Sequence, residues 1–222
     1  MRAGFQPQFL DFRRGIRVGN LEDHERITRL LKLALEGRYR TSFVTKRWGR
    51  GVYWQWIGYH ARSGRESFGC AKFFLMMDTE EERFKCGLQV ERGHGEAPPD
   101  WDWHRLLRSL RAGSPMAKEL DRLVRREEFW IQAGGESFHR AKYPGVAAVR
   151  RAATRAPKNH WAGFQLYYPM TREEVMESTG GDLVESMLAV FEEVRPAMNL
   201  CMKGKLYVVT ATEDPGGTGT RR

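Results

Sequence analysis

The sequence predicts an α+β fold in which a mostly antiparallel, aromatic-rich sheet is packed by helices within one domain. Three observations predict it. Four β-prone segments follow one another between residues 39 and 91 on short turns, helix-period apolar patterns flank them on both sides, and Phe, Trp and Tyr make up 12% of the chain. The length agrees, because 222 residues bury a sizeable core yet fall short of the size at which cores usually split.

Residues 1–19 carry Phe5, Phe9, Leu10 and Phe12 as apolar anchors with Arg13, Arg14 and Arg17 around Gly15, and are expected to form an extended arm or edge strand. Asn20 suits a helix N-cap. Glu22 and Asp23 fall in the first turn, where the helix dipole favours anions, and Ile27, Leu30, Leu31, Ala34 and Leu35 recur at the spacing of one apolar face. Gly37 is expected to end this helix just past its C-cap. A β-meander over 39–91 follows, with strands at Tyr39–Lys46, Val52–His60, Phe68–Met77 and Arg83–Glu91. Its connections are short enough to force antiparallel neighbours. In the last strand Phe84, Cys86, Leu88 and Val90 alternate with Lys85, Gly87, Gln89 and Glu91, the period of a half-buried strand. The two middle strands are apolar on both sides and are expected to be central.

The loop Gly93–Pro99 is the one stretch resembling a seam. Beyond it Asp100 can cap a helix bearing Trp103, Leu106, Leu107 and Leu110, and Ser114-Pro115 starts another, proline being best tolerated at the first helical position. A short strand at Phe129–Gln132, a basic, alanine-rich helix at Pro144–Arg155, and a strand at His160–Tyr168 stopped by Pro169 are predicted next. Thr171-Arg172-Glu173-Glu174 reads as a capping box. A helix at Asp182–Val194 follows, with Leu183, Met187, Val190 and Phe191 on one face and Pro196 closing it. Leu206–Ala211 is expected to be a last strand. With no internal repeat, residues 1–213 read as one α+β domain and 214–222 as a disordered tail rich in Gly, Thr and Arg.

Lys and Arg number 37 against 28 Asp and Glu, a net charge of +9, which attracts phosphates and acidic surfaces at long range. The charge is uneven. Residues 1–70 hold fourteen bases and six acids, residues 140–158 six bases and no acid, and residues 171–195 seven acids and two bases. The longest apolar runs, such as Phe73–Met77, are far below the roughly 20 residues of a membrane-spanning helix. The start has no apolar signal region, and three widely spaced cysteines suit buried thiols in a reducing compartment. A cytoplasmic protein with no membrane partner is expected.

Two stretches carry chemistry. In Lys46-Arg47-Trp48-Gly49-Arg50, running on into Val52-Tyr53-Trp54-Gln55-Trp56, cations interleave with rings on a turn and its strand. A single-stranded nucleic acid is bound by such a set, cations on phosphates and rings on bases; a helix-covered sheet would instead bury the strand rings and leave Trp48 the most exposed. The second stretch is Arg140, Lys142, Arg150, Arg151, Arg155 and Lys158, in which Arg151 and Arg155 share a helix face away from Val146 and Val149. That pattern fits a cationic stripe over phosphates, or a solvated helix face.

Six histidines include none paired with a cysteine at zinc-ligand spacing, and Cys70 and Cys86 are expected to be core thiols, with Cys86 opposite Phe74. No metal or cofactor site is expected. A nuclease reading would place Asp78 and Glu91 with Lys85 around a divalent ion. With Asp78 in the turn and Glu91 at the far strand end, however, they stand about 30 Å apart at ~3.3 Å per residue. No P-loop, G-x-S-x-G or G-x-G-x-x-G opens a helix.

The leading expectation is a non-enzymatic module that binds nucleic acid, single-stranded in preference, or another polyanion. Its site residues are Lys46, Arg47, Trp48 and Arg50 together with Arg150, Arg151, Arg155 and Lys158. The alternatives are a protein-interaction domain using the aromatic sheet face or the acidic segment 171–195, and, behind both, the metal-dependent nuclease.

Overall fold

A computed structural model describes residues 12, 21–48, 51–56, 69–93, 96–157 and 163–208, with the backbone alone at 21–27, 46–48 and 52–56. Helix α1 (Leu21–Tyr39) leads into a four-strand meander, β1 (Phe43–Trp48), β2 (Gly51–Trp56), β3 (Lys72–Asp78) and β4 (Arg83–Val90). Next come α2 (Asp102–Ser109), α3 (Pro115–Arg125), the hairpin β5 (Trp130–Ala133) and β6 (Glu136–Phe138), and α4 (Val146–Thr154). The chain then returns through β7 (Phe164–Thr171) to α5 (Arg172–Glu177) and α6 (Gly180–Cys201). These strands form one seven-stranded sheet in the order β1-β2-β3-β4-β7-β5-β6, antiparallel at every pairing. No helix among the described residues is long and apolar enough to cross a membrane.

One face of the sheet meets the helices. Phe73, Leu75 and Met77 of β3, Phe84, Cys86, Leu88 and Val90 of β4, and Leu166 of β7 are buried in one cluster with Leu183, Met187, Phe191 and Val194 of α6. Phe73 and Phe191 stack with ring centroids 4.6 Å apart. The alternation seen in β4 is therefore the core-facing half of a strand buried on both sides, since Lys85 and Gln89 on its other face are buried too. Cys70, Cys86 and Cys201 are buried free thiols.

Several boundaries differ from the sequence expectation, and in each case packing outweighs a local signal. Helix α1 passes through Gly37 to Tyr39, because the Tyr39 ring stacks on Phe73 at 6.3 Å and its hydroxyl donates to Glu192 Oε1 at 2.7 Å. Arg40, at φ 48°, makes the left-handed exit instead. Helix α6 starts from Thr179, whose side chain and Asp182 form a capping box, and runs through Pro196. The residues beyond that proline, Ala197, Met198 and Cys201, are fully buried, which offsets its cost of about 3 kcal/mol.

The β3–β4 register sets Leu75, not Phe74, opposite Cys86. The reason is a four-residue turn in which Glu82 takes φ 48° and Asp78 Oδ1 accepts from the backbone N–H of Glu80 and Glu81. β5 and β6 form a hairpin where one strand was expected, and β7 continues past Pro169 to Thr171. β5 begins opposite Tyr167, so Pro169 lies where β7 is paired on one side among the described strands, and its missing N–H costs no ladder bond there. Leu206–Val208 do not form a strand; 209–211, the arm at 1–19 apart from Phe12, and the tail at 214–222 lie outside the described residues.

Gly87 sets the closeness of β4 to β7, since a Cβ there would sit 2.1 Å from the Leu166 carbonyl oxygen. Gly37, in exposed helix, has nothing within 4 Å of an added Cβ. Two glycine-to-alanine changes therefore have opposite signs. Gly87→Ala is expected to lower stability by about 1–3 kcal/mol through overpacking, and Gly37→Ala to raise it by about 0.5–1 kcal/mol through helix propensity. Urea midpoints of the two variants against the parent check both.

Candidate functional site

The fold does not bring the two basic stretches together. Lys46, Arg47 and Trp48 occupy the last positions of β1, in register with Tyr53, Val52 and Gly51 of β2, at one edge of the sheet. Arg50 and Lys158 lie outside the described residues, as do the side chains of Lys46, Arg47 and Trp48. Arg150, Arg151 and Arg155 stand on or just after α4, which packs on β5. Five strand spacings separate β1 from β5 in the sheet order, a span of about 24 Å at ~4.8 Å per strand.

Helix α4 is anchored by its apolar side. Val146, Val149, Ala152 and Ala153 are buried, and the β5–β6 turn presses on it so tightly that a Cβ at Gly134 (φ +56°) would fall 2.0 Å from the Ala152 carbonyl oxygen. That contact fixes the helix rotation. Arg150, Arg151 and Arg155 are consequently exposed, and no ion pair ties them among the described residues. Other arginines are tied: Arg122 bonds Glu119 and Glu193 at 2.7 and 2.8 Å, and Arg195 meets Glu192 at 3.2 Å. Helices α2 and α3 pack beside α4 and add exposed Arg108, Arg111 and Arg126. The sequence reading missed these three. The helical phase of Arg108 against buried Leu106 is the signal that marks it, while Arg111 and Arg126 lie just past the ends of α2 and α3.

The other face of the sheet is organised in rows across the strands. Lys72, Gln89, Gln165, Gln132 and Ser137 stand opposite one another in register, and the adjacent row is Phe74, Gly87, Tyr167 and Trp130. Lys72, Gln89, Glu91 and Gln165 are each at most 5% exposed. Lys72 Nζ donates to Glu91 Oε1 and Gln165 Nε2 to Gln89 Oε1 at 2.9 Å, whereas Gln89 Nε2 and Glu91 Oε2 have no partner among the described residues. Burial pushes Glu91 up to about 7 against the opposing charge of Lys72, and burial lowers Lys72 against the opposing charge of Glu91. Phe74 and Tyr167 are buried, so the described middle of this face is no open platform for bases.

At the other end of the same hairpin Lys85 Nζ meets Asp78 Oδ2 at 2.7 Å. Burial opposes ionisation of Asp78, but bonds from Lys85 and from the Glu80 and Glu81 N–H groups hold it below the usual carboxylate range. Asp78 and Glu91 thus each take a separate lysine at opposite ends of β3–β4. No group of three or more His, Cys, Asp or Glu among the described residues is placed to hold a metal ion.

An open cleft of about 330 Å³ lies at the notch left where β7 outruns β5, with Pro169 and Thr171 along one side and Glu128 and Arg140 along the other. Within it the Trp130 and His139 rings stack at 4.7 Å and 24°, and the Arg83 guanidinium lies 5.2 Å from the Trp130 ring centroid. Arg83 has no ion pair among the described residues. Trp130 and His139 come together at the open end of the β5–β6 hairpin, whereas Arg83 reaches them only through the β4–β7–β5 pairing. The chain matches no protein-family model, no curated protein and no solved structure.

The Lys72–Glu91 pair gives two stability expectations. Above pH 7, where Glu91 is ionised, Glu91→Gln removes the carboxylate bonded to the buried Lys72 and is expected to cost about 3–5 kcal/mol, while Lys72→Met with Glu91→Leu recovers most of it. The second concerns pH. Because the folded value of Glu91, about 7, lies above its ordinary 4.5, its contribution is fully present below pH 4.5 and is lost as pH rises through 7. Urea unfolding across that window checks this: the parent's stability falls relative to the double variant as pH rises.

Proposed function

We propose that the protein is a non-catalytic binding module for nucleic acid, single-stranded in preference, or for a polyanion of the same chemistry. One observation carries the reading: α4 presents Arg150, Arg151 and Arg155 to solvent with no acid to neutralise them among the described residues, on a helix whose rotation is locked from below. Free guanidinium groups on a rigid element bind phosphates without first breaking ion pairs. The net charge of +9 supports the same reading through long-range attraction. The protein-interaction alternative draws on the aromatic sheet face or the acidic segment 171–195, and burial of Phe74 and Tyr167 takes the middle of the sheet face away from it. The nuclease alternative is weakened by the separate lysine partners of Asp78 and Glu91.

The test is fluorescence anisotropy with labelled single- and double-stranded DNA and RNA from about 50 to 200 mM salt. Affinity is expected to fall steeply with salt. Replacing Arg150, Arg151 and Arg155 by Ala is expected to flatten the log–log slope for a single strand by about 2, at ~0.7 per lost phosphate contact. Absence of binding at the lowest salt refutes the proposal.

A further inference from the structure

Resting on the nucleic-acid reading above, the geometry points to the notch beside β7 as the seat of one unstacked nucleobase, with a flanking phosphate held by Arg83.

Size, chemistry and position agree on this occupant. The cleft, about 330 Å³, is at the small end of ligand pockets and suits a single nucleotide. Its ring wall is the Trp130–His139 stack, and sequence-tolerant binding of single strands uses aromatic faces of this kind. Of the cleft's charged groups, Glu174 is engaged in capping, its Oε2 accepting from the Thr171 N–H at 2.6 Å, and Glu128 faces Arg140 at 3.7 Å. That leaves Arg83 as the cation with no carboxylate among the described residues. Its guanidinium lies over an indole, an arrangement that holds the planar fork in place and keeps its edge N–H groups available to a phosphate. Arg140 lines the cleft and opens, in sequence, the acid-free run that continues through Lys142 to α4. An extended peptide adding to the open edge of β7 is the competing occupant. Pro169 disfavours it, because that edge lacks a backbone donor where the added strand needs one.

The experiment uses the full chain and a single-stranded RNA of about 12 nucleotides, within the usual site size, carrying 4-thiouridine for photocrosslinking. The expected adduct maps to Trp130, His139 or Tyr168. Trp130→Ala is expected to weaken binding about 5- to 150-fold, the loss of one stacked base, with an unchanged salt slope; Trp130→Phe keeps most of the affinity, and its retained binding shows that the fold survives the site change. Arg83→Gln is expected to weaken binding and to flatten the slope by about 0.7, one phosphate contact. Parental affinity in both Trp130→Ala and Arg83→Gln, or adducts confined to other segments, overturns the cleft while leaving the α4 reading in place. Failure of the parent to bind any strand at low salt removes both. Displacement of the RNA adduct by an extended peptide that protects Trp130 assigns the notch to the peptide instead and overturns the proposal.

Discussion

The pairing of β7 with β4 is the constraint on which the rest of the structure depends. β7 is the last of the described strands, yet it enters the sheet between β4 and β5 and joins the early meander to the later hairpin. Among the described strand pairings it is the one that sets residues about 80 positions apart in sequence, Leu88 and Leu166 among them, side by side. The approach is permitted by Gly87, where any side chain would strike the neighbouring backbone. Because β7 is followed directly by α5 and α6, its placement also sets α6 beneath β4, where Phe191 meets Phe73. Long-range pairing of this kind closes large loops before it returns any stabilisation, so the sheet depends on its last strand.

The same insertion explains why one sheet face is polar and still buried. Lys72, Gln89 and Gln165 line up because the β3–β4 hairpin and the distant β7 share one register. Burying an ion pair and two amides is seldom a gain in stability over apolar residues of similar volume. Their value lies in specificity: a one-residue slip of β4 against β3 or β7 would move each polar group onto the apolar core. Gly87, standing in the adjacent row, leaves room for Phe74 and Tyr167 to meet edge to face at 6.4 Å.

Charge is partitioned by layer. The α5–α6 segment carries most of its acids in ion pairs and caps, with Glu192 and Glu193 holding arginines and Glu174 and Asp182 closing helix N-termini. The α2–α3–α4 group keeps several guanidinium groups exposed. Arg150, Arg151 and Arg155, without ion pairs among the described residues and above a tightly packed helix, are the charge on which the proposed polyanion binding rests. In the proposed reading the rings act at the notch, because Phe74 and Tyr167 on the sheet face are buried.

The amino-acid sequence by itself determined the fold class, because apolar residues at periods of 2 and 3.6 specify strands and helices without reference to partners. It also determined the β4 strand, the capping box at Thr171 and the exposure of Arg150, Arg151 and Arg155 opposite Val146 and Val149. Tertiary packing alone decided what local signals could not. Gly37 and Pro196 are helix breakers in isolation, yet α1 and α6 pass through them because Tyr39, Met198 and Cys201 gain buried contacts beyond. The distance between the two basic stretches, the row of buried polar groups and the cleft at Trp130 all follow from strand order, and strand order depends on which distant segments bury each other's surfaces. That is a property of the assembled sheet, and no window of sequence contains it.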